Sequence, residues 1–521
     1  MAPKAKKKIT LKLVVKKTST TPGGKTRLRV VFKKNKKKVA AAKSRLQIKR
    51  AGKWQNTKIR VPIVNGVGKA VVTPKKTRKY RIKRGKHYSK VIKVLIKQTA
   101  TTPKPLKAAQ SFTVTGSGFG HGVGMSQYGA YQMARTGSTA AQILQHYYQG
   151  TEVKTATVPG KIAVQVFGPE PYGFSGYADS ANTATFSISQ GQWRIVDENG
   201  AVKFTTSGSN GKNAKAVLSV SSGKARAQIS GGGYSTTVTS HALVLQWSGT
   251  PEFRPNDEAA VASLSGTHGK YRHGALVATA ISGRLNVIND VGFTQYLYGI
   301  AEMPSSWGSP ANGGSAALSA QAITARSYAL VNMNISASNP NGKRKSACNC
   351  HIVDDVRDQH FTGWNKENEK VGSTSYGAIW RSAVDATVQG NSVQVLTYQN
   401  KPISTFYYSS SGGATANSED VWVAEIPYLR SVPDEASLKA PGNSMTSWTR
   451  TIPAQRLAQM FGLPDVAKVK VVQRYSSGQA KKLRATASNG KKATFTAKAD
   501  VIRARLGSLP SSWVLSIKPV L

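Results

Sequence analysis

Residues 1 to 110 contain no aspartate and no glutamate, against 36 lysines and arginines. The rest of the chain holds 38 basic residues and all 23 acids, so the formal charge of +51 divides into +36 at the front and +15 behind. Solubility is normally served by mixed charge, and a stretch without a single acid cannot neutralise itself. Its field attracts polyanions, whether nucleic acid, anionic lipid surfaces or acidic wall polymers, and charge alone does not choose among them. Long hydrophobic runs are missing too. No stretch of about 18 apolar residues occurs, which leaves no candidate membrane-spanning helix. The start, MAPKAKKKITLKLVVKK, carries a charged region but only a short apolar run, well below a signal-peptide core, so an exported chain would take its signal from outside this sequence. Cysteine is scarce: Cys348 and Cys350 are too few for a disulfide scaffold. No internal repeat is visible.

At 521 residues the chain exceeds one ordinary domain, and two or three units are expected. Residues 1–10 form a basic tail. From 11 to 98 apolar and basic residues alternate, as in TRLRVVF, TKIRVPIV and SKVIKVLIK, with turn signals at PGGK, RAGKW, VNGVG and TPKK. Period-2 patterning of this kind predicts a small antiparallel β-sandwich with a cationic solvent face. Its layout resembles the immunoglobulin-like modules appended to exported bacterial proteins. TATTPKPLKAAQ, over 99–110, reads as a linker stiffened by Pro103 and Pro105. Residues 111–521 are mainly β with a few helices, an α+β composition. The clearest helical stretch is SAALSAQAITARSYALVNM, from Ser315 to Met333.

Four segments beyond the linker carry chemistry. GHGVGMSQYGA, from Gly120 to Ala130, has four glycines in eleven positions, interleaved with the donors and acceptors His121, Ser126, Gln127 and Tyr128. Such a run is either an ordinary Gly-rich surface loop or a backbone shaped for close approach of another chain or a ligand. FTQYLYGIAEMPSSW, from Phe293 to Trp307, ends an apolar run at Glu302 just before Met303 and Pro304. A carboxyl shielded by apolar neighbours has its charged form disfavoured, which suits a general acid; the plainer alternatives are a helix cap or a pair with Arg326. DQHFTGW spans Asp358 to Trp364, and PISTFYYSSSGGATANSEDVW spans Pro402 to Trp422. In the latter, Tyr408 and the hydroxyls of Ser409, Ser410 and Ser411 are of the kind that orient a polyhydroxylated ligand, or simply a Ser/Gly turn.

Together these segments resemble the SpoIID/LytB family, over about 110 to 153 and 269 to 521. AEMPSSW with AQAITARSYAL is similar to the family's EMP segment and its AQA…AR-[ST]-Y helix. DQHFTGW is similar to its QxYxG stretch, SSSGGATANSEDVW…PYLRSV to its SSSGG…PYL run, and GHGVGMSQYGA to its signature. Typical members carry that signature last, after an RxxLGLxS-type segment that here is RARLGSLPSSW, from Arg503 to Trp513, near the end of the chain. The resemblance therefore implies a circularly permuted domain, with residues 154–268 as a β-rich insertion. Members often have a lysine before AQA where this chain has Ser319, and GSPANGGS is inserted after Trp307.

The resemblance also implies an activity: a lytic transglycosylase cleaving peptidoglycan glycan strands and leaving 1,6-anhydro-MurNAc ends, with Glu302 catalytic and no cofactor required. Arg326, His121, Gln127, Tyr128, Tyr408 and Ser409 to Ser411 are its candidate substrate-binding residues. The basic module would hold the chain on anionic wall polymer, outside the cell or in its wall. A non-catalytic wall-binding protein, or an enhancer of another wall hydrolase, is the second reading. A specific nucleic-acid binder is not expected, since the front module holds few aromatics among its lysines. SACNCHIVDDVRDQH offers Cys348, Cys350, His351 and His360, the composition of a structural zinc set. Two free thiols or a Cys–Cys link are the other readings, the link being tight because Cα atoms two residues apart are nearly 7 Å apart in an extended chain.

Overall fold

The computed structural model describes residues 8–97, 106–174 and 176–521. The chain divides into two units, Met1–Lys104 and Pro105–Leu521. Most of the expected basic tail, and the Pro103–Pro105 part of the expected linker, lie outside the described residues.

In the first unit two sheets close over one core. One joins Ile9–Val15, Thr26–Lys34, Lys37–Lys38 and Val67–Val72. The other runs Ser19–Thr20, Ile92–Ile96, Arg78–Arg84, Ala41–Arg50, Lys53–Ile63, with His87–Tyr88 on the Arg78–Arg84 strand. The alternation explains the layering. Leu28, Val30 and Phe32 point inward from one strand, and Leu46, Ile48, Tyr80, Ile82 and Val94 meet them from the other sheet, while the residues between carry the charge.

Strands dominate the second unit. A seven-stranded sheet runs Val202–Thr205, Trp193–Asp197, Ala242–Trp247, Ala275–Ile281, Arg284–Gly292, Lys161–Phe167, Ile352–Val353. A six-stranded sheet built from Tyr234–Ser240 through Lys270–Tyr271 shares its core. The stretch 154–268 is thus not an appended body: Leu245 pairs with Leu276 and Ala242 with Thr279 in continuous register. Trp193, Phe186 and Trp247 from this stretch are fully buried. At about 2–3 kcal/mol for each buried side chain of this size, removing the stretch would take away a large part of the shared core.

Helix Ser315–Asn332 runs through that core. Ala317, Ala320, Ala322, Ala325 and Ala329 are all buried, so small side chains allow neighbours to approach on nearly every side, and alanine's high helix propensity keeps the segment helical. A second core, centred on Phe112, Leu457, Leu483, Ile502 and Val514, lies under a three-stranded sheet in which Ser111–Ser117 pairs with both Trp448–Pro453 and Trp513–Val520. The first strand of the unit is therefore hydrogen-bonded to its last.

Candidate active site

The Gly-rich loop leaves the Ser111–Ser117 strand and is stitched to three distant segments. Gly118 N donates to Met445 O at 2.7 Å, Gly120 N to Pro510 O at 2.9 Å, and Phe119 exchanges backbone bonds with Ser410. Met125 and Ser126 then pair in parallel with Tyr407 and Tyr408. The glycines are required by space as well as by torsion. Gly124 has φ 76°, and a Cβ there would stand 2.0 Å from Phe406 O; at Gly122, φ 92°, it would meet Gln479 and the Trp513 ring at 2.7 Å. Ser126 ends the loop by capping helix Gln127–Arg135, its Oγ accepting from Gly129 N at 3.2 Å.

Glu302 is delivered by the turn after helix Phe293–Tyr298. Ile300 bridges Phe361, and Ala301 N donates to His360 O at 2.8 Å, which fixes the backbone on either side of the Glu302 Cα. The carboxylate Oε1 accepts the His360 N–H at 2.7 Å. Burial is the largest influence on this group and pushes its pKa above the ordinary glutamate value, against the opposing pull of the His360 amide and the Tyr407 hydroxyl. Tyr407 is itself held in a chain: Gln359 Nε2 donates to its hydroxyl at 3.0 Å, and Tyr296 donates to Gln359 Oε1 at 2.8 Å. Burial raises Tyr407 well above the ordinary phenol range, so it remains a protonated donor toward Glu302.

Glu302 opens onto a cleft of about 520 Å³. Its walls come from Phe119–His121 and Gln127 at the front of the unit, Tyr328 on the long helix, Val356–Asp358, Thr405–Ser409, Trp422, and Asp500 and Arg503 near the end. The loop and Glu302, remote in sequence, thus share one cavity. Phe174 and Tyr177, from the stretch 154–268, also reach it, and they are 52% and 42% exposed. Asp358, the other carboxylate close to the centre, accepts from Tyr328 (2.8 Å), from Val353 N (2.8 Å) and from the Tyr172 hydroxyl. With its lone pairs so occupied it acts as a strut for Tyr328 and Tyr172.

The candidate residues separate into two groups. His121, Gln127, Tyr408 and Ser409 line the cleft with Glu302. His121 is pinned: Nδ1 accepts from Val123 N at 3.0 Å, and Nε2 lies 3.1 Å from Tyr407 O, which assigns the proton to Nε2. Burial, reinforced by Arg503, lowers its pKa to about 4, so at neutral pH it is an uncharged, doubly bonded ring. Tyr128 lies elsewhere, its ring 4.9 Å from Trp307 and its hydroxyl on Gly442 O. Ser410 and Ser411 face inward. Asn443 Nδ2 donates to Ser410 Oγ at 2.9 Å and Ser411 Oγ donates to Asp434 O at 3.3 Å, so these hydroxyls hold a turn. Arg326 is fully buried in the long helix, donates through Nη1 to Gln394 O at 2.8 Å, and is absent from the cleft wall. Burial lowers its pKa to about 10. Neither a Glu302–Arg326 pair nor a helix cap describes Glu302.

The cysteines correct the zinc expectation. Cys348 and Cys350 are bonded to each other with a Cα–Cα distance of 5.1 Å. Asn349, at φ 50°, folds the chain between them, which removes the near-7 Å separation that an extended peptide imposes. Neither sulfur is then a thiolate donor. His351 Nδ1 accepts from Ala163 N at 3.0 Å, and the His360 ring sits 5.8 Å from His268. Among the described residues no group of three His, Cys, Asp or Glu side chains is arranged to hold a metal ion.

The sequence points to the segments containing Tyr407, Asp358 and Gln359 but not to those residues themselves; their place within FYY and DQH is the available signal. Phe174 and Tyr177 carried none, because each reaches the cleft only through tertiary folding; Arg357 and Arg503 lie in quoted segments, SACNCHIVDDVRDQH and RARLGSLPSSW, without being singled out.

Residues 281–398, which contain Glu302 and the long helix, match the family model SpoIID, described as Stage II sporulation protein. Over this segment the chain is similar to the SpoIID family. It is 30% identical over 178 residues to Stage II sporulation protein D of Bacillus subtilis (strain 168), covering 34% of this chain and 47% of that protein. The protein of the same name from Bacillus amyloliquefaciens is 29% identical over 209 residues, 39% of this chain and 56% of its own length. The chain thus spans about half the length of these two curated relatives. A shorter match, 46% identical over 57 residues, is to the amidase enhancer of Bacillus subtilis (strain 168), with 11% of this chain and 8% of that protein covered.

Proposed function

We propose that the chain is a peptidoglycan lytic transglycosylase working at the cell wall. The observation that carries this reading is Glu302: a carboxyl held by one amide and one phenol, its pKa raised by burial, on the wall of a cleft open enough for a glycan. Such a group is protonated where an ordinary glutamate is not, which is what a general acid needs. Glu302 gives its proton to the glycosidic oxygen, the bond from C1 of the MurNAc residue to that oxygen breaks, and the leaving sugar departs as an alcohol. The C6 hydroxyl of the same MurNAc attacks C1 and returns its proton to the Glu302 carboxylate, closing a 1,6-anhydro ring and restoring the acid. Because the nucleophile is intramolecular, no second carboxylate is required to activate water.

The strand Ser111–Ser117, bonded to the strand that ends the chain, supports a permuted order in which the signature loop has moved to the front while keeping its position beside Glu302. The acid-free first unit would retain the enzyme on anionic wall polymer. The test is digestion of purified glycan strands followed by mass spectrometry. Anhydro-muramoyl ends should form with the wild type and not with Glu302→Gln; equal turnover by the two proteins would reject the assignment. The amidase-enhancer match favours a second reading, a non-catalytic partner of a wall hydrolase. That reading gains if the protein binds sacculi and raises an amidase's rate while producing no anhydro ends.

A further inference from the structure

The sheet of the first unit that contains Ala41–Arg50 and Arg78–Arg84 has a built outer face. Leu46, Ile48, Tyr80 and Ile82 point into the core, so Arg45, Gln47 and Lys49 on one strand and Lys79, Arg81 and Lys83 on the next point away from it. The register sets like charges directly opposite one another. Arg45 pairs with Arg60 on one side and Lys83 on the other, and Lys79 pairs with Lys93. Directly opposed like charges destabilise a sheet, and residues 1–110 contain no acid to relieve them. The face is complete only when anions come from outside.

Two features make it a site rather than a diffuse field. Arg81 is fixed in place: its Nε donates to Gln47 Oε1 at 2.8 Å, and its guanidinium lies 4.3 Å from the Trp54 ring centroid and 4.2 Å from that of Tyr88. Gln47 is in turn tied to Asn56 at 2.9 Å. At the edge of this face a basin of about 830 Å³ collects Lys43, Arg45, Lys83, Arg84 and Lys86.

We propose that this face docks a flexible phosphodiester-linked wall polymer, a chain of polyol or sugar phosphates, along the rows of cations. Alternate residues on a strand are spaced about 6.6–6.8 Å apart and neighbouring strands about 4.8 Å apart. That lattice presents a cation to each successive phosphate of a polymer with one charge per short repeat. Nucleic acid fits less well: the Arg81 guanidinium covers one face of both the Trp54 and the Tyr88 ring, which leaves only the exposed outer side of Tyr88 for a base, and a sheet face offers no helix or ribbon to a groove. The inference rests on the wall-directed reading above.

The experiment uses the full chain and two variants with the same loss of charge. Arg45→Gln/Lys79→Gln/Lys83→Gln removes three cations from the proposed face; Lys12→Gln/Arg29→Gln/Lys69→Gln removes three exposed cations from the other sheet. Binding to purified polyglycerol phosphate is measured between 50 and 200 mM salt, with thermal midpoints to verify folding. The face variant should bind at least tenfold more weakly at 100 mM salt, and the slope of log affinity against log salt should flatten by about two to three. The control should stay within about twofold of wild type. Equal losses in the two variants would overturn the proposal in favour of net charge, and tighter binding to single-stranded DNA than to the polymer would overturn it in favour of nucleic acid. Glycan cleavage is assayed separately on polymer-free strands, so absence of anhydro products would count against the cleft reading and leave the docking result standing.

Discussion

In the second unit carboxylates and cations hold one another. Arg357 spans Glu170 at 3.0 Å and Asp355 at 2.6 Å beside the cleft, and Arg430 meets Glu419 at 2.6 Å. Among the described residues of the first unit there is no ion pair at all, since there is no acid to make one. Its cations lie on exposed strand faces over an apolar core. Charge in one unit is spent on internal geometry, around the buried carboxyl of Glu302. In the other it faces outward. The same residue types therefore predict opposite mutational behaviour: neutralising a charge near the cleft should disturb local structure or chemistry, while neutralising one on the sandwich should change what binds and leave the fold as stable or slightly more so.

The sharpest way to break this contrast is at Glu302. Glu302→Gln should lower the rate of anhydro-product formation by about 10²- to 10⁴-fold, the usual contribution of general acid catalysis. The thermal midpoint should be unchanged or slightly higher, because a buried carboxyl gives way to a neutral amide that still accepts the His360 N–H. A large fall in midpoint would make Glu302 a structural residue and erase the distinction.

Next in size is the loop. Gly124→Ala places a methyl 2.0 Å from Phe406 O at φ 76°, and the backbone must move. A loss of stability on the order of 2–3 kcal/mol is expected, read by urea unfolding, together with loss of activity, because the loop and the Tyr407 segment that braces Glu302 are paired there. Unchanged stability would mean that the loop is not clamped as described.

The pH profile sharpens the assignment of the proton. The proposed mechanism uses Glu302 as the acid, and its pKa is raised, so kcat/KM should fall as pH rises through a midpoint above the ordinary glutamate value. His121 titrates near 4 and is neutral throughout that limb. His121→Asn should lower the rate modestly by loosening the loop while leaving the midpoint in place. A midpoint that moved with His121 would transfer the limb to the histidine.

These cases also show what a linear sequence conveys. The α+β composition, the sandwich alternation and the Gly-rich loop are readable because each rests on local periodicity or on a motif. Pairing is not. The stretch 154–268 has strand patterning that is silent about its partners, and it proved to extend the main sheet. Arg326 sits on a helix buried on nearly every side, where a charged residue at helical spacing looks the same as one on a wet face. Ser410 and Ser411 point inward because Asn443, Ser437 and Asp434 wait there, more than twenty residues on.

The smallest effect belongs to the cysteines, where the sequence held a usable signal: asparagine is among the few residues that enter the left-handed region readily, and it stands between them. A link closing so short a loop removes little chain entropy, and Cys348→Ala/Cys350→Ala should cost only about 1–2 kcal/mol in urea unfolding, with glycan cleavage within about twofold of wild type. Wild-type protein reduced with a thiol should show a similar loss. Zinc added to the reduced protein distinguishes the two readings of this stretch. With His351 engaged by Ala163 N and His360 turned toward His268, the thermal midpoint should not rise. A rise in the reduced wild type that is missing from the double-alanine variant would mean that the thiols recruit a metal, and the second unit would then hold a cation by a route other than its ion pairs.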